Sequence, residues 1–428
     1  MSTQPARLAP VDATACEREP IHVPGAVQPH GTLLGIGADG VVCVAAANCA
    51  VLLGLGPDQV MGRPLHEVVG PDLAAWSARD ALPGVPWTGR LAGGQVEAVS
   101  HASGGLRLLE VEPAGAPGPD AFALVTAAVT AVQEGETPAR ILGTAVREVR
   151  RLTGYERVMA YRFDPDWNGE VVAEERPADW ESYLGLRFPA SDIPAQARAL
   201  YLRNRIRVIP DAVYDPVPLA GDPRPDGSRV DLSDAVLRSV SPVHLEYLAN
   251  MGVRASMSVS LVREGRLWGL IACHHRTPRP VPSRVRTACE LLAAVVAARV
   301  GEVEARDARA AEAPLRGAFL DLLAAVDRAP SVADGLLAAP GPLLGALDAA
   351  GAVVSLEGRR AVVGHVPPPE AVSAVLGWLA GIEEPVVVTE RLGRVAPLPD
   401  AVREAGSGLV AGSLRPAEVV PTSRQPNS

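Results

Sequence analysis

The residues best suited to chemistry fall in three stretches. In RFPASDIPAQARALYLRNRIRVIPD (Arg187–Asp211), Ser191 or Asp192 can cap a helix whose first position is Pro194. Arg198, Tyr201, Leu202 and Arg205 then recur at i, i+3, i+4 and i+7. A helix start, a carboxylate, a phenol and several guanidiniums together suit a ligand with a polar centre and acidic tails. In ASMSVSLVREGRLWGLIACHH (Ala255–His275), Met257, Val259 and Leu261 share one strand face and Ser256, Ser258 and Ser260 the other. The turn decides where His274 points. A three-residue loop Arg263-Glu264-Gly265 puts it with the serines; a two-residue Glu264-Gly265 turn puts it with Met257. Cys-His-His offers no metal geometry, because neighbouring strand residues point to opposite faces. The third stretch, CEREPIHVPGAVQPHG (Cys16–Gly31), sets a thiol ahead of Pro20, Pro24 and Pro29. Those prolines hold it extended and give His22 or His30 no rigid frame or oxyanion helix for Cys–His catalysis. No enzyme activity is expected.

Composition narrows the setting. The 428 residues allow two to four domains, and a net charge of -9 argues against a general nucleic-acid binder. No apolar run reaches the roughly 18 residues of a membrane span, and no secretory signal opens the chain. CELLAAVVAARV (Cys289–Val300) is the nearest run, and its charged neighbours make it a soluble helix. Five cysteines without CxxC spacing disfavour a disulfide framework or a zinc ribbon. A reducing cytoplasm is the economical location. Eight of the sixteen aromatic residues lie between Tyr155 and Tyr201, where a planar ligand could pack.

The elements that must position these residues follow from pattern. GTLLGIGADGVVCVAAA reads as two strands about a Gly-Ala-Asp-Gly turn, with further strands near Val96–Val99, Leu106–Glu112 and Ala121–Thr126. TPARILGTAVREVRRLTGY reads as a helix started by Thr137-Pro138 and ended by Gly154, with Ile141, Leu142, Ala145, Val149 and Leu152 on one face. The strands RVMAYRF and GEVVAEER come next, then a loop-rich region from about Asp211 to Ser239, the hairpin, and a helix from about Ser283 to Glu312. A further helix, PLRGAFLDLLAAVDRA, precedes strands GAVVSL and RAVVGHV, helix PPEAVSAVLGWLAGI, and strands PVVVTE and SGLVAGSL.

LLGLGPDQVMGRPLHEVV resembles a PAS domain, and the order helix, sheet, terminal helix resembles a GAF domain. CEREPIHVPGAVQPHG, FPASDIPAQARALY, SPVHLEYLANMGVRASMSVS and LWGLIACHH, in this order over roughly residues 10–310, resemble a bacteriophytochrome. The resemblance implies an α+β fold: consecutive PAS and GAF antiparallel-sheet sandwiches with a figure-of-eight knot, plus an incomplete GAF-like PHY domain. It divides the chain into an N-terminal extension (1–30), PAS (31–130), GAF with lasso and long helix (131–312) and partial PHY (313–428). It implies a red/far-red photoreceptor carrying biliverdin on a thioether to Cys16, with the proline-rich lead threaded through a lasso at 211–239 and Val27 plugging it. Carried over residue by residue, Asp192 offers its backbone carbonyl to the pyrrole N–H groups, Ile193 and Pro194 pack on the rings, and His244 holds the central polar network. Arg207 and Arg238 are candidates for one propionate, and Ser256 and Ser258 for the other. Met159, Tyr161, Phe188, Tyr201, Tyr247 and Met251 surround the isomerising ring, His274 bonds its carbonyl, and Ser241 joins the binding set.

The resemblance further implies a homodimer through the long helix, an unknown downstream partner, and no contact with nucleic acid or membrane. The family's Pro-Arg-x-Ser-Phe tongue motif and histidine-kinase signatures do not occur in these 428 residues, so an incomplete photocycle is expected. Two rivals stand beside this reading: a PAS–GAF sensor of another small ligand, and a dimeric interaction module that senses no light.

Overall fold

The computed structural model describes residues 19–79, 85–115, 121–224, 226–347, 349–356, 358–389, 392 and 408–412. The chain divides into two compact units, 1–304 and 305–428.

In the first unit, strands β1 (Ala26–Val27), β2 (Thr32–Ile36), β3 (Val42–Ala46), β4 (Trp87–Leu91), β5 (Gly94–Ser103) and β6 (Leu106–Pro113) join the later β11 (Val217–Ala220) in an antiparallel sheet ordered β1-β11-β3-β2-β6-β5-β4. The turn Gly37–Gly40 reverses β2 into β3, with Gly40 at φ 79°, where a side chain would be strained. Every residue of β2 is buried, because the sheet is covered on both sides. Leu34 and Ile36 face the short helices between Cys49 and Ser77, packing on Leu52, Val69 and Leu73. Leu33 points the other way and packs with Val27, Leu219, Leu232 and Leu237. Alternate side chains of one strand thus build two cores.

That second core is a threaded crossing. Ala26 and Val27 pair with Pro218 and Val217 on one side. On the other, Gln28 N donates to Leu237 O and Ser239 N to Ala26 O. The Gln28 amide reaches further, donating to the carbonyls of Val208 (3.0 Å), Arg238 (3.3 Å) and Val236 (3.4 Å). Buried Glu110 of β6 accepts from the N–H groups of Leu237 (2.7 Å) and Val236 (3.2 Å), so the crossing is held from the sheet as well.

The second sheet comprises β7 (Arg157–Phe163), β8 (Gly169–Glu175), β9 (Arg187–Phe188), β10 (Ile206–Ile209), β12 (Ala255–Arg263) and β13 (Arg266–His275), ordered β10-β12-β13-β7-β8-β9. Helices Ala121–Gln133, Pro138–Thr153 and the part of Ser283–Arg328 up to Val303 cover one face. Helix Pro138–Thr153 is capped by Thr137 Oγ1 and ended by Gly154 at φ 68°. It lays Ile141, Ala145 and Val149 on Val158, Met257 and Ile271, and Leu292, Val296 and Val300 join from the long helix. Each such aliphatic side chain contributes about 1.5–3 kcal/mol when fully buried. Buried Arg286 at the start of the long helix pairs with Glu112 of β6, and Ser283 Oγ donates to Glu97 Oε2 (2.5 Å).

Two expectations are corrected. Residues 121–126 are helical, not a strand: the Ala-rich run AFALVTAAVTAVQ sets Val125, Ala128 and Val132 at helical spacing into the core. The helices expected on either side of residue 313 are one, Ser283–Arg328, with Pro314 inside it. The proline removes one N–H on an exposed stretch, where water can satisfy the freed carbonyl. In the second unit, hairpin Gly351–Leu356 with Arg359–Gly364 and pair Val386–Thr389 with Leu409–Gly412 form separate two-stranded sheets, and Pro369–Leu379 is helical.

Candidate functional site

The free face of the second sheet builds a cavity of about 350 Å³. The hairpin decides its polar side. Arg263 pairs with Arg266 across Glu264 (φ 49°) and Gly265 (φ 76°), which is the two-residue turn, and that turn alone sends His274 to the Met257 face. The register then slips between Leu261 and Val262: Val262 opposes Leu267 but Leu261 opposes Gly269, leaving Trp268 as an extra residue. This bulge flips every later position. Ser256 therefore opposes His274, and Cys273 turns to the core opposite Met257.

Opposite this wall lies the segment 188–203. Ala190–Asp192 forms a single 3-10 turn and the helix proper runs Ala195–Arg203. Pro194, not Ser191 or Asp192, occupies the cap position, and no side chain caps it. Arg198 instead braces the preceding turn, donating to Ile193 O (2.6 Å) and Ala190 O (3.3 Å) while lying 4.7 Å from the Trp167 ring centre. Arg205 falls beyond the helix end. The Asp192 carboxyl is raised above its ordinary value by burial, opposed by a hydrogen bond from the Tyr247 hydroxyl. Burial and the Asp192 charge push Tyr247 up to about 12, and Tyr161 is raised by the same causes.

The cavity wall includes Met159, Tyr161, Phe188, Asp192, Ile193, Pro194, Tyr201, Arg207, Arg238, Ser241, His244, Tyr247, Met251, Ser256, Ser258 and His274, together with Ile21, Val171, Tyr183, Leu200 and Asn204. Its cations are arranged for an anionic guest. Arg207 opposes Ser258 across β10 and β12, and its guanidinium donates to the carbonyls of Arg238 (2.5 Å), Ser239 (3.2 Å) and Val236 (3.3 Å). Burial and the neighbouring Arg238 bring it down to about 9. Buried Arg238 Nη1 has no hydrogen-bond partner, and neither does Nδ1 of buried His274. Desolvation holds both histidines neutral, His274 at about 3 and His244 at about 4, with Arg157 adding to the first and Arg207 to the second. Orphaned buried donors are expensive; a ligand carrying carboxylates and a carbonyl would satisfy them.

Cys16 lies outside the described residues. The chain is followed from Glu19, whose Oε2 accepts from Ser241 Oγ at 2.5 Å, and Ile21 already lines the cavity. Sequence reasoning did not single out Ile21, Gln28, Tyr183 or Glu110. Tyr183 carried a signal, falling within the aromatic-rich stretch; the others depend on contacts across more than a hundred residues.

Family models agree with this architecture. Residues 16–114 match the PAS fold, 137–303 the GAF domain and 318–420 the phytochrome region. A cyanobacterial phytochrome B from a Nostoc species is 36% identical over 94% of this chain and 56% of its own length. A bacteriophytochrome of Pseudomonas aeruginosa is 43% identical over 82% of this chain and 49% of its own. The photosensory core module of Stigmatella aurantiaca phytochrome superposes with a TM-score of 0.78 at 39% identity, covering 90% of this chain and 80% of that one. A bacteriophytochrome from R. palustris gives 0.80 at 35% identity, covering 94% and 84%. The chain belongs to the bacteriophytochrome family. It spans about half the length of the curated relatives it matches. Among the described residues no helix is long and apolar enough to cross a membrane.

Proposed function

We propose that the chain is a red/far-red photoreceptor that holds biliverdin in this cavity through a thioether to Cys16. The observation that carries the reading is the pairing of orphaned Arg238 Nη1 and His274 Nδ1 with aromatic walls in one buried space. A linear tetrapyrrole with two propionates and terminal lactam carbonyls presents the complementary groups. When bound, the pigment supplies light absorption and rotation about one of its double bonds.

The chain's own residues supply the rest. Arg207 and Arg238 fork one propionate and Ser256 and Ser258 the other. Asp192 turns its backbone carbonyl to the ring N–H groups, and Ile193 and Pro194 pack on the rings. His244 orders the central polar network, and Ser241 anchors the N-terminal segment through Glu19. Neutral His274 offers a ring nitrogen to the outer carbonyl, among Met159, Tyr161, Phe188, Tyr201, Tyr247 and Met251. Cys16 is three residues from Glu19, a span of at most about 11 Å, which keeps its thiol within reach of the cavity mouth. A reducing cytoplasm would keep that thiol free. Exposed Leu315, Phe319 and Leu323 recur at i, i+4 and i+8 on the long helix, which supports pairing with a second copy; light scattering of the purified chain tests it.

Mixing the chain with biliverdin, recording the absorption spectrum, and then denaturing it on a zinc-fluorescence gel tests the assignment. A sharp red band that stays on the denatured chain, and leaves it in Cys16→Ser, is expected. Absence of the band would refute the reading in favour of a sensor of another ligand.

A further inference from the structure

Beside the cavity wall lies a further buried cation. Arg157 opens β7, is only 3% exposed, and stands directly opposite His274 of β13. Its guanidinium carbon lies 3.9 Å from the Tyr183 ring centre and 4.5 Å from that of Trp180. Nε meets Glu174 Oε1 at 3.1 Å, and Nη2 donates to Glu181 O. Glu174 in turn accepts from Tyr183 N (3.1 Å) and Ser182 Oγ (2.7 Å), with Arg176 at 3.5 Å. One guanidinium therefore ties down the whole 180–183 segment, and Tyr183 is the ring of that segment that lines the cavity.

We propose that Arg157 is a positioning residue of the cavity, holding Tyr183 as its wall and keeping His274 a neutral imidazole. The inference rests on the pigment reading for what the neutral ring serves, not for the arrangement itself. Directly opposed strand residues share one face, about 5 Å apart at Cβ, and a fixed cation on the same face of a dry site disfavours imidazolium. The carboxylate beside Arg157, Glu174, is paired with it. The other groups facing His274 are uncharged Ser256 on β12 and His244 on the helix Pro242–Asn250, the latter next to Arg207. None of them stabilises a proton on His274. A neutral ring keeps one donor and one acceptor nitrogen, whereas imidazolium can only donate.

The test uses the pigment-free chain with ¹⁵N-labelled histidine, titrated by NMR from pH 7.5 to 3, with His274→Gln for assignment. Wild type and Arg157→Lys should keep His274 neutral down to pH 5. Arg157→Gln removes the charge and leaves Glu174 only its more distant partner Arg176, and should raise the midpoint by about one unit or more. Tyr183→Leu should leave the midpoint unmoved while weakening the red band formed with biliverdin. A wild-type titration in Arg157→Gln would overturn the proposal. So would a raised midpoint in Arg157→Lys, which decides the matter if Arg157→Gln does not fold. The midpoint is read without pigment, so failure of wild type to bind biliverdin would strike the functional reading and leave this one standing.

Discussion

Acidifying the pigment-free chain from pH 7.5 to 5.0 should cost about 2 kcal/mol of folding stability through His274 alone. The ring is 8% exposed, and burial together with Arg157 and His244 lowers it from 6.5 to about 3. The unfolded chain therefore takes up the proton first as pH falls. The contribution is whole above pH 6.5, declines by about 1.4 kcal/mol per unit below it, and levels off only near the folded value. At pH 5.0 the unfolded ring is almost fully protonated and the folded ring almost none, which gives the figure above. Half-buried His244, lowered to about 4, adds a comparable amount of the same sign over this interval. Buried Glu110, half-buried Glu290 and exposed Asp192 have raised carboxyls and act in the opposite sense; they are common to wild type and variant and cancel in the comparison. Urea unfolding followed by tryptophan fluorescence at both pH values, on wild type and His274→Gln, reads the difference directly. The variant should lose about 2 kcal/mol less on acidification. Parallel losses in the two proteins would refute the claim that His274 is buried neutral.

Three further outcomes follow from the same geometry. Deleting Trp268 removes the bulge and returns His274 to the core face, so red absorption with biliverdin should vanish while Trp268→Ala, which preserves the residue count, retains it; a red band in the deletion would show that register is set from the far end of the hairpin. Glu112→Gln strands Arg286 in a buried site and should cost about 3–5 kcal/mol in urea unfolding, whereas Glu112→Leu with Arg286→Met should recover most of that; equal losses in both would count against an unpaired-charge penalty. Arg238→Gln in a Cys16→Ser background should weaken biliverdin binding about ten- to a hundredfold, the worth of a charge-assisted hydrogen bond, and an unchanged Kd by absorbance titration would remove Arg238 from the propionate site.

The periodic parts of this fold were legible. Helix Pro138–Thr153 matches its Thr137-Pro138 start and Gly154 stop, and β7 coincides with RVMAYRF. Punctuation misled where solvent overrode it: Pro314 reads as a break, yet it lies inside a helix because the carbonyl it frees is exposed. The run from Ala121 is apolar enough to pass for a strand; packing on Ile141 and Leu142 settles it as a helix.

Register was a different matter, because it is a whole number summed over a hairpin rather than a property of any window. Glu264-Gly265 marks the turn correctly, and the turn by itself gives the wrong face for His274. The correcting signal was present in Gly269: a Cβ there would stand 2.3 Å from Tyr161 O, the close approach that glycine within a strand often marks beside a bulge. One extra residue at Trp268 thus decides whether an imidazole joins Cys273 and the core or the serines and the cavity. The charge state follows from that placement. On the other face the ring would leave Arg157 and His244, and nothing in the local composition of CHH distinguishes the two cases. The cavity is assembled by pairings between residues more than a hundred positions apart, Arg157 with His274 and Glu19 with Ser241, and these arise only when two locally legible segments meet in one particular register.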